Sequence, residues 1–176
     1  RLDFSGVAAA IAISIISANS SGFVGSENNL PGGFTGMDQI LGTALTDTFS
    51  GLNQTASFEI SDAAVYRYNS LVLNLGGFEV LKGGSAVDTF TITGLSPFDG
   101  SIDGQGGKDI LNYASYQSAA NVTLTGIGTI DGFTGTATGL AGSFTNIDHY
   151  VGSSNSGDTL NGLNEPTTWN LNGSIL

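Results

Sequence analysis

A self-copy at a spacing of about 110 residues constrains this chain more than any other feature. Leu2-Asp3-Phe4-Ser5-Gly6-Val7 lines up with Leu111-Asn112-Tyr113-Ala114-Ser115-Tyr116, an offset of 109. Phe34-Thr35-Gly36-Met37-Asp38 lines up with Phe144-Thr145-Asn146-Ile147-Asp148 at 110. Asp47-Thr48-Phe49 matches Asp158-Thr159-Leu160, and Phe58-Glu59-Ile60 matches Trp169-Asn170-Leu171, both at 111. Order, spacing and residue character persist together, so the chain reads as one repeat-containing domain over 1–176. Within it, half-repeat A covers 2–65, B covers 66–110 and A′ covers 111–176. That is about one and a half copies of a long unit, cut in mid-unit at both ends. Repeats of this kind imply stacked architectures with extended surfaces before they imply a catalytic pocket.

The local pattern names the elements that stack. In Leu71-Val72-Leu73-Asn74-Leu75 three leucines share one face, and in Asp88-Thr89-Phe90-Thr91-Ile92-Thr93 the apolar side chains alternate with threonines. Period-2 alternation rich in β-branched and aromatic residues is strand chemistry. The punctuation is Gly-Gly, Asn-Gly, Asp-Gly and Ser-Gly, which are turn signals. No window carries a sustained helical stripe, so the chain is expected to be all-β. The run from Val7 to Ala18 is too short to span a membrane as a helix, which takes about 20 apolar residues. Its Ile11, Ile13 and Ile15 alternate with small residues, and it reads as a strand rather than a targeting segment. A parallel β-solenoid, a β-helix-like stack, explains the internal copies. A β-sandwich is the other architecture the strand pattern allows, but it has no reason to repeat internally.

Composition then removes whole classes of function. Net charge is −11, with only Arg1, Arg67, Lys82 and Lys108 basic. A nucleic-acid partner needs clustered cations to displace phosphate counterions, and an anionic membrane surface needs the same. Neither nucleic acid nor membrane insertion is therefore expected. Cysteine is absent, so there is no disulfide, thiolate metal site or thiol nucleophile. His149 is the only histidine, and Asp148 beside it must face the opposite way along a strand. The chain does not read as an enzyme. Charged residues are 11% of the total, against roughly 25% in ordinary soluble domains, and the 27 glycines are about twice the usual share. A neutral surface of Ser, Thr, Asn and Gly suits extracellular structural material.

One recurrent frame carries chemistry: a glycine, then an aspartate followed by Thr or Ile and an apolar residue. The copies are Gly42…Asp47-Thr48-Phe49, Gly83-Gly84…Asp88-Thr89-Phe90, Gly104…Asp109-Ile110-Leu111 and Gly152…Asp158-Thr159-Leu160. This punctuation resembles the haemolysin-type calcium-binding repeat, G-G-x-G-x-D-x-U-x, in which U is apolar. Gly104-Gln105-Gly106-Gly107-Lys108-Asp109-Ile110-Leu111-Asn112 is the fullest copy, with Gln105 at the second glycine. The resemblance implies calcium as a possible ligand, with Asp88, Asp103 and Asp109 as its donors. In that family the ion is sandwiched between tandem turns about 18 residues apart. Here the four aspartates are separated by 41, 21 and 49 residues, and only Asp88 and Asp109 come near that spacing. The other reading is structural: each Asp-Thr pair caps a turn by accepting backbone hydrogen bonds.

The whole unit also resembles the β-strand repeat modules of very large bacterial secreted and cell-surface proteins. The segments that carry the likeness are 107–113, 121–125, 134–139, 144–148 and 167–173. It implies an extracellular location and a structural role in a fibre, filament or giant surface protein. Such a module would assemble with copies of itself, end to end or by strand exchange, through strand edges and apolar ends. The C-terminal segment 169–176 is the expected pairing strand. A calcium-dependent adhesin or carbohydrate-binding module is the second expectation, with Tyr66, Tyr68, Tyr113 and Tyr116 available to stack on surface glycans.

Overall fold

Apolar side chains that alternate along each strand also stack from strand to strand, and these inward ladders build the core. The computed structural model describes residues 1–166 and Thr168. It contains no helix among them and is about 48% strand. In chain order the strands are β1 (Leu2–Asp3), β2 (Ala12–Asn19), β3 (Gly22–Glu27), β4 (Phe34–Met37), β5 (Gln39–Leu41) and β6 (Thr48–Ser50). Next come β7 (Ala56–Ile60), β8 (Ala64–Tyr68), β9 (Leu71–Gly76), β10 (Val80–Lys82), β11 (Asp88–Ile92) and β12 (Ser101–Asp103). The last are β13 (Ile110–Asn112), β14 (Asn121–Ile127), β15 (Phe133–Ala137), β16 (Phe144–Ile147), β17 (His149–Val151) and β18 (Thr159–Asn161).

The strands lie in two sheets that face each other. One has eight strands in the order β1-β5-β9-β8-β7-β11-β13-β17, and the other has ten, β4-β3-β2-β6-β10-β12-β16-β15-β14-β18. Ile13, Phe49, Leu81, Ile102 and Phe144 are paired in register down the ten-stranded sheet, and every one is at most 1% exposed. Phe58, Phe90 and Leu111 form the opposing ladder, with the two phenyl rings stacked at 4.7 Å. Tyr66 fills the space between the ladders and accepts a hydrogen bond from the Leu52 amide through its hydroxyl at 2.9 Å. The expected strand at Ile11–Ile15 appears as β2, which begins one residue later at Ala12, and all three isoleucines are buried.

The architecture is the expected β-solenoid, with about 5 turns. Successive turns pair in parallel, as in β2/β6/β10/β12/β16 and β7/β11/β13/β17. Three antiparallel switchbacks interrupt this winding: β2-β3-β4, β7-β8-β9 and β14-β15-β16. At the second and third the chain enters its sheet three places beyond the last filled one, β7 beyond β5 and β14 beyond β12, then doubles back twice to fill the two places between; at the first, β3 and β4 double back from β2, the first strand of its sheet. Alternating side chains look the same in parallel and antiparallel strands, so the sequence pattern did not distinguish them.

The repeat is visible as topology. β1–β6 and β13–β18 occupy corresponding places in the same sheets, displaced by six strands in each. At about 4.8 Å per strand, that displacement is about 29 Å along the stack. Detail is copied too. Gly25 pairs with Phe34 and Gly135 with Phe144, and a methyl group on either glycine would lie 2.3 Å or 2.5 Å from that phenyl ring. The Trp169-Asn170-Leu171 match and the proposed pairing segment 169–176 lie outside the described residues.

Candidate functional site

The four glycine–aspartate frames sit at the two corners where the chain passes between sheets. Asp47 and Asp158 lie where it leaves the eight-stranded sheet for β6 and β18. Asp88 and Asp109 lie on the other corner, at the entries to β11 and β13. In each frame the glycine is needed because the carboxylate occupies the space of its missing side chain. A Cβ on Gly42, Gly83, Gly104 or Gly152 would come within 2.5, 2.5, 2.5 or 2.6 Å of the frame's own Asp Oδ2. On Gly42 and Gly104 it would also strike a carbonyl of the next turn, Gly77 O at 1.9 Å and Asn146 O at 2.1 Å.

Each carboxylate performs the same task, bonding one turn to the turn before it. On one corner the Ala56 amide donates to Asp88 Oδ1 (2.9 Å), the Asp88 amide to Asp109 Oδ1 (2.7 Å), and the Asp109 amide to Asp148 Oδ2 (3.3 Å). On the other, the Ile11 amide donates to Asp47 Oδ1 (2.7 Å) and the Asp47 amide to Glu79 Oε2 (2.8 Å). The Ala120 amide reaches Asp158 Oδ1 at 2.8 Å. Buried amides at a solenoid corner have no ladder partner, and leaving one unpaired costs about 1–3 kcal/mol. These carboxylates are the acceptors. Glu79 and Asp148 belong to the set although no glycine frame marks them; Asp148 was visible only through its place in the repeat.

In three of the four glycine frames the second carboxylate oxygen closes its own loop. Thr43 N donates to Asp47 Oδ2 (2.5 Å), Gly84 N to Asp88 Oδ2 (2.6 Å) and Ser153 N to Asp158 Oδ2 (2.7 Å). The Gly104 frame departs from this rule. Gln105 N donates instead to Asp103 Oδ1 (3.0 Å), and Asp109 Oδ2 is buried without a partner. Gln105 adopts φ +69°, a left-handed conformation that costs a residue with a side chain about 1–2 kcal/mol. Burial pushes the Asp109 carboxyl up to about 7, against the pull of the Asp88 amide, and the nearby Asp88, Asp131 and Asp148 carboxylates push it the same way. Burial raises Asp88 to about 6, offset in part by the Gly84 and Ala56 amides. Asp158 lies on the surface, where the Ala120 amide and Ser153 hold its carboxyl below the usual range.

The proposed calcium donors are not convergent. Asp88 and Asp109 are directed into the corner and are joined through the Asp88 amide. Asp103 lies on the outer side of β12, where it accepts from Asn146 Nδ2 (2.7 Å) and from both nitrogens of Gln105, and faces Lys82 Nζ at 3.7 Å. Among the described residues no group of three or more His, Asp or Glu side chains is placed to hold a metal ion. The aromatic candidates for glycan stacking also go elsewhere. Tyr66, Tyr113 and Tyr116 are 0%, 1% and 4% exposed, and Tyr68 is half-buried. Tyrosines alternate inward here because they are large enough to fill the gap between sheets. His149 projects from the outer side of β17. The arrangement fastens turns together. No protein-family model, curated protein or solved structure matches the chain.

Proposed function

We propose that this chain is a structural module of an extracellular fibre, filament or giant surface protein, extended by like units along its stacking axis. The observation that carries the reading is the six-strand translation relating β1–β6 to β13–β18. A fold that reproduces its own beginning about 29 Å further along is a unit that a second unit can continue. The internal junction is consistent with this, since β5 and β6 are followed in their sheets by β9 and β10, in parallel register. β17 and β18 hold the equivalent places at the far end. There the described residues leave an apolar opening of about 370 Å³ lined by Leu124, Phe133, Tyr150, Leu160 and Leu163. Leu160 is 40% exposed, whereas Phe49, its counterpart, is 0% exposed.

Corner carboxylates support the same reading, because each of the four gives one oxygen to an amide of the preceding turn. A chain rich in Ser, Thr, Asn and Gly suits a protein whose work is mechanical and associative. Electron microscopy and sedimentation of the purified chain over a concentration series test the proposal. Elongated particles that lengthen as concentration rises are expected. A monodisperse monomer that stays single at high concentration would sink it.

A further inference from the structure

The Gly104 frame differs from the other three in one bond, and the difference lies in a single peptide unit. In every frame the aspartate Oδ2 sits at the same place relative to the glycine, 2.5–2.6 Å from where its Cβ would be. In three frames the amide after that glycine points at this oxygen: Thr43 N, Gly84 N and Ser153 N. In the fourth the receiving oxygen, Asp109 Oδ2, is in position, buried and empty, while Gln105 N is turned outward. What turns it is Asp103, which gathers Gln105 N, Gln105 Nε2 and Asn146 Nδ2 on the outer side of β12. Two carboxylates, one inside the corner and one outside it, therefore compete for one amide.

We propose that residues 104–108 form a two-position latch in which the Gln105 amide passes between Asp103 on the outer face and Asp109 in the corner. The position shown places Gln105 at φ +69° and leaves a buried oxygen without a donor. The other position relieves both and reproduces the geometry already built in the sibling frames. It requires rotation of the Gly104–Gln105 peptide, which the glycine permits. Asn146 is the counterweight: its Nδ2 holds Asp103 while its Oδ1 accepts from Ile130 N at 2.9 Å, so the 128–132 loop helps keep Asp103 in place. The latch ties a carboxylate on the outer sheet face to the ladder of amides that joins the turns. Any cationic group that draws Asp103 outward favours the inner position.

Amide hydrogen exchange of the whole chain, followed by NMR, tests this in an Asp103→Ala variant. The latch predicts that the Gln105 amide stays protected by at least about tenfold over an unstructured amide, because it has moved to Asp109. Adding Asp109→Asn, which places an NH2 group where the receiving oxygen was, must then abolish that protection. A Gln105 amide that exchanges as a free loop amide in Asp103→Ala overturns the proposal, and so does protection indifferent to the second substitution. If Asp103→Ala does not fold, Asp103→Asn carries the test, since a carboxamide oxygen is the weaker acceptor. The Gln105 amide resonance then shifts or splits towards the inner position; one that stays where it is in the parent chain overturns the latch equally.

Discussion

The two copies of the half-repeat share strands, sheets and caps, yet they do not share burial. Ile40 and Phe49 in the first copy are 0% exposed, because β9 and β10 lie beyond β5 and β6. Their counterparts Tyr150 and Leu160 are half-buried and exposed. Asp47 is fully buried and Asp158 is on the surface, although each accepts an amide of the preceding turn and one from its own loop. What the comparison teaches is a division of labour. Local chemistry shapes each turn, and the neighbouring turn decides how much that chemistry is worth.

The sharpest way to break this comparison is to truncate the paired core positions. Phe49→Ala should destabilise by about 3–5 kcal/mol, because a fully buried ring is replaced by a cavity between two sheets. Leu160→Ala should cost about 1 kcal/mol, since much of that side chain stays wet in the folded state. Urea denaturation of both variants decides it. Equal losses would mean that the far end is covered as fully as the near one.

A smaller contrast is expected at the caps. Asp47→Ala leaves the Ile11 and Thr43 amides without acceptors in a buried corner, at a cost of about 2–4 kcal/mol. Asp158→Ala exposes its amides to water that can replace the lost acceptor, so its loss should be the lesser of the two. Thermal midpoints measured side by side at pH 7 test the order. An Asp158 variant as damaged as the Asp47 variant would refute the claim that burial sets the value of the cap.

A dependence on pH is also expected, and its sign separates the corners. Asp88 and Asp109 are raised to about 6 and about 7, so the fold favours their protonated forms. Their contribution is fully present below about pH 4 and is lost as pH rises through 6 and 7. Asp158 is lowered, so its contribution is present above about pH 4 and is lost as pH falls below its depressed value. Stability should decline between pH 5 and 8, and Asp109→Asn should flatten that decline. A midpoint that rises from pH 5 to pH 8, or an unchanged slope in the variant, contradicts the assignment.

Much of the fold was legible in advance because a strand's side chains alternate whatever surrounds it. Ile11/Ile13/Ile15 and Phe90/Ile92 declared both their strands and their inward faces. The glycine–aspartate frames were legible as turns, since a glycine beside a carboxylate is a local requirement. The switchbacks were not legible: β8 and β15 carry the same alternation as the parallel strands, and direction depends on where the chain has room to fill. Nor was Glu79, or the role that Asp103 plays in place of the expected calcium donor, since these depend on Asp47 and Asn146, 32 and 43 residues away. The tyrosines offered for glycan stacking show the same limit, because alternation does not say which side of a sheet is covered.

By itself, then, the sequence determined that this chain would be all-β, would repeat, and would turn on glycine and aspartate, because those outcomes follow from bonds and sterics within a few residues. Only the tertiary structure decided which turn each carboxylate fastens and why one frame in four turns its amide outward. Those outcomes depend on residues brought together from different turns, and no local pattern encodes that meeting.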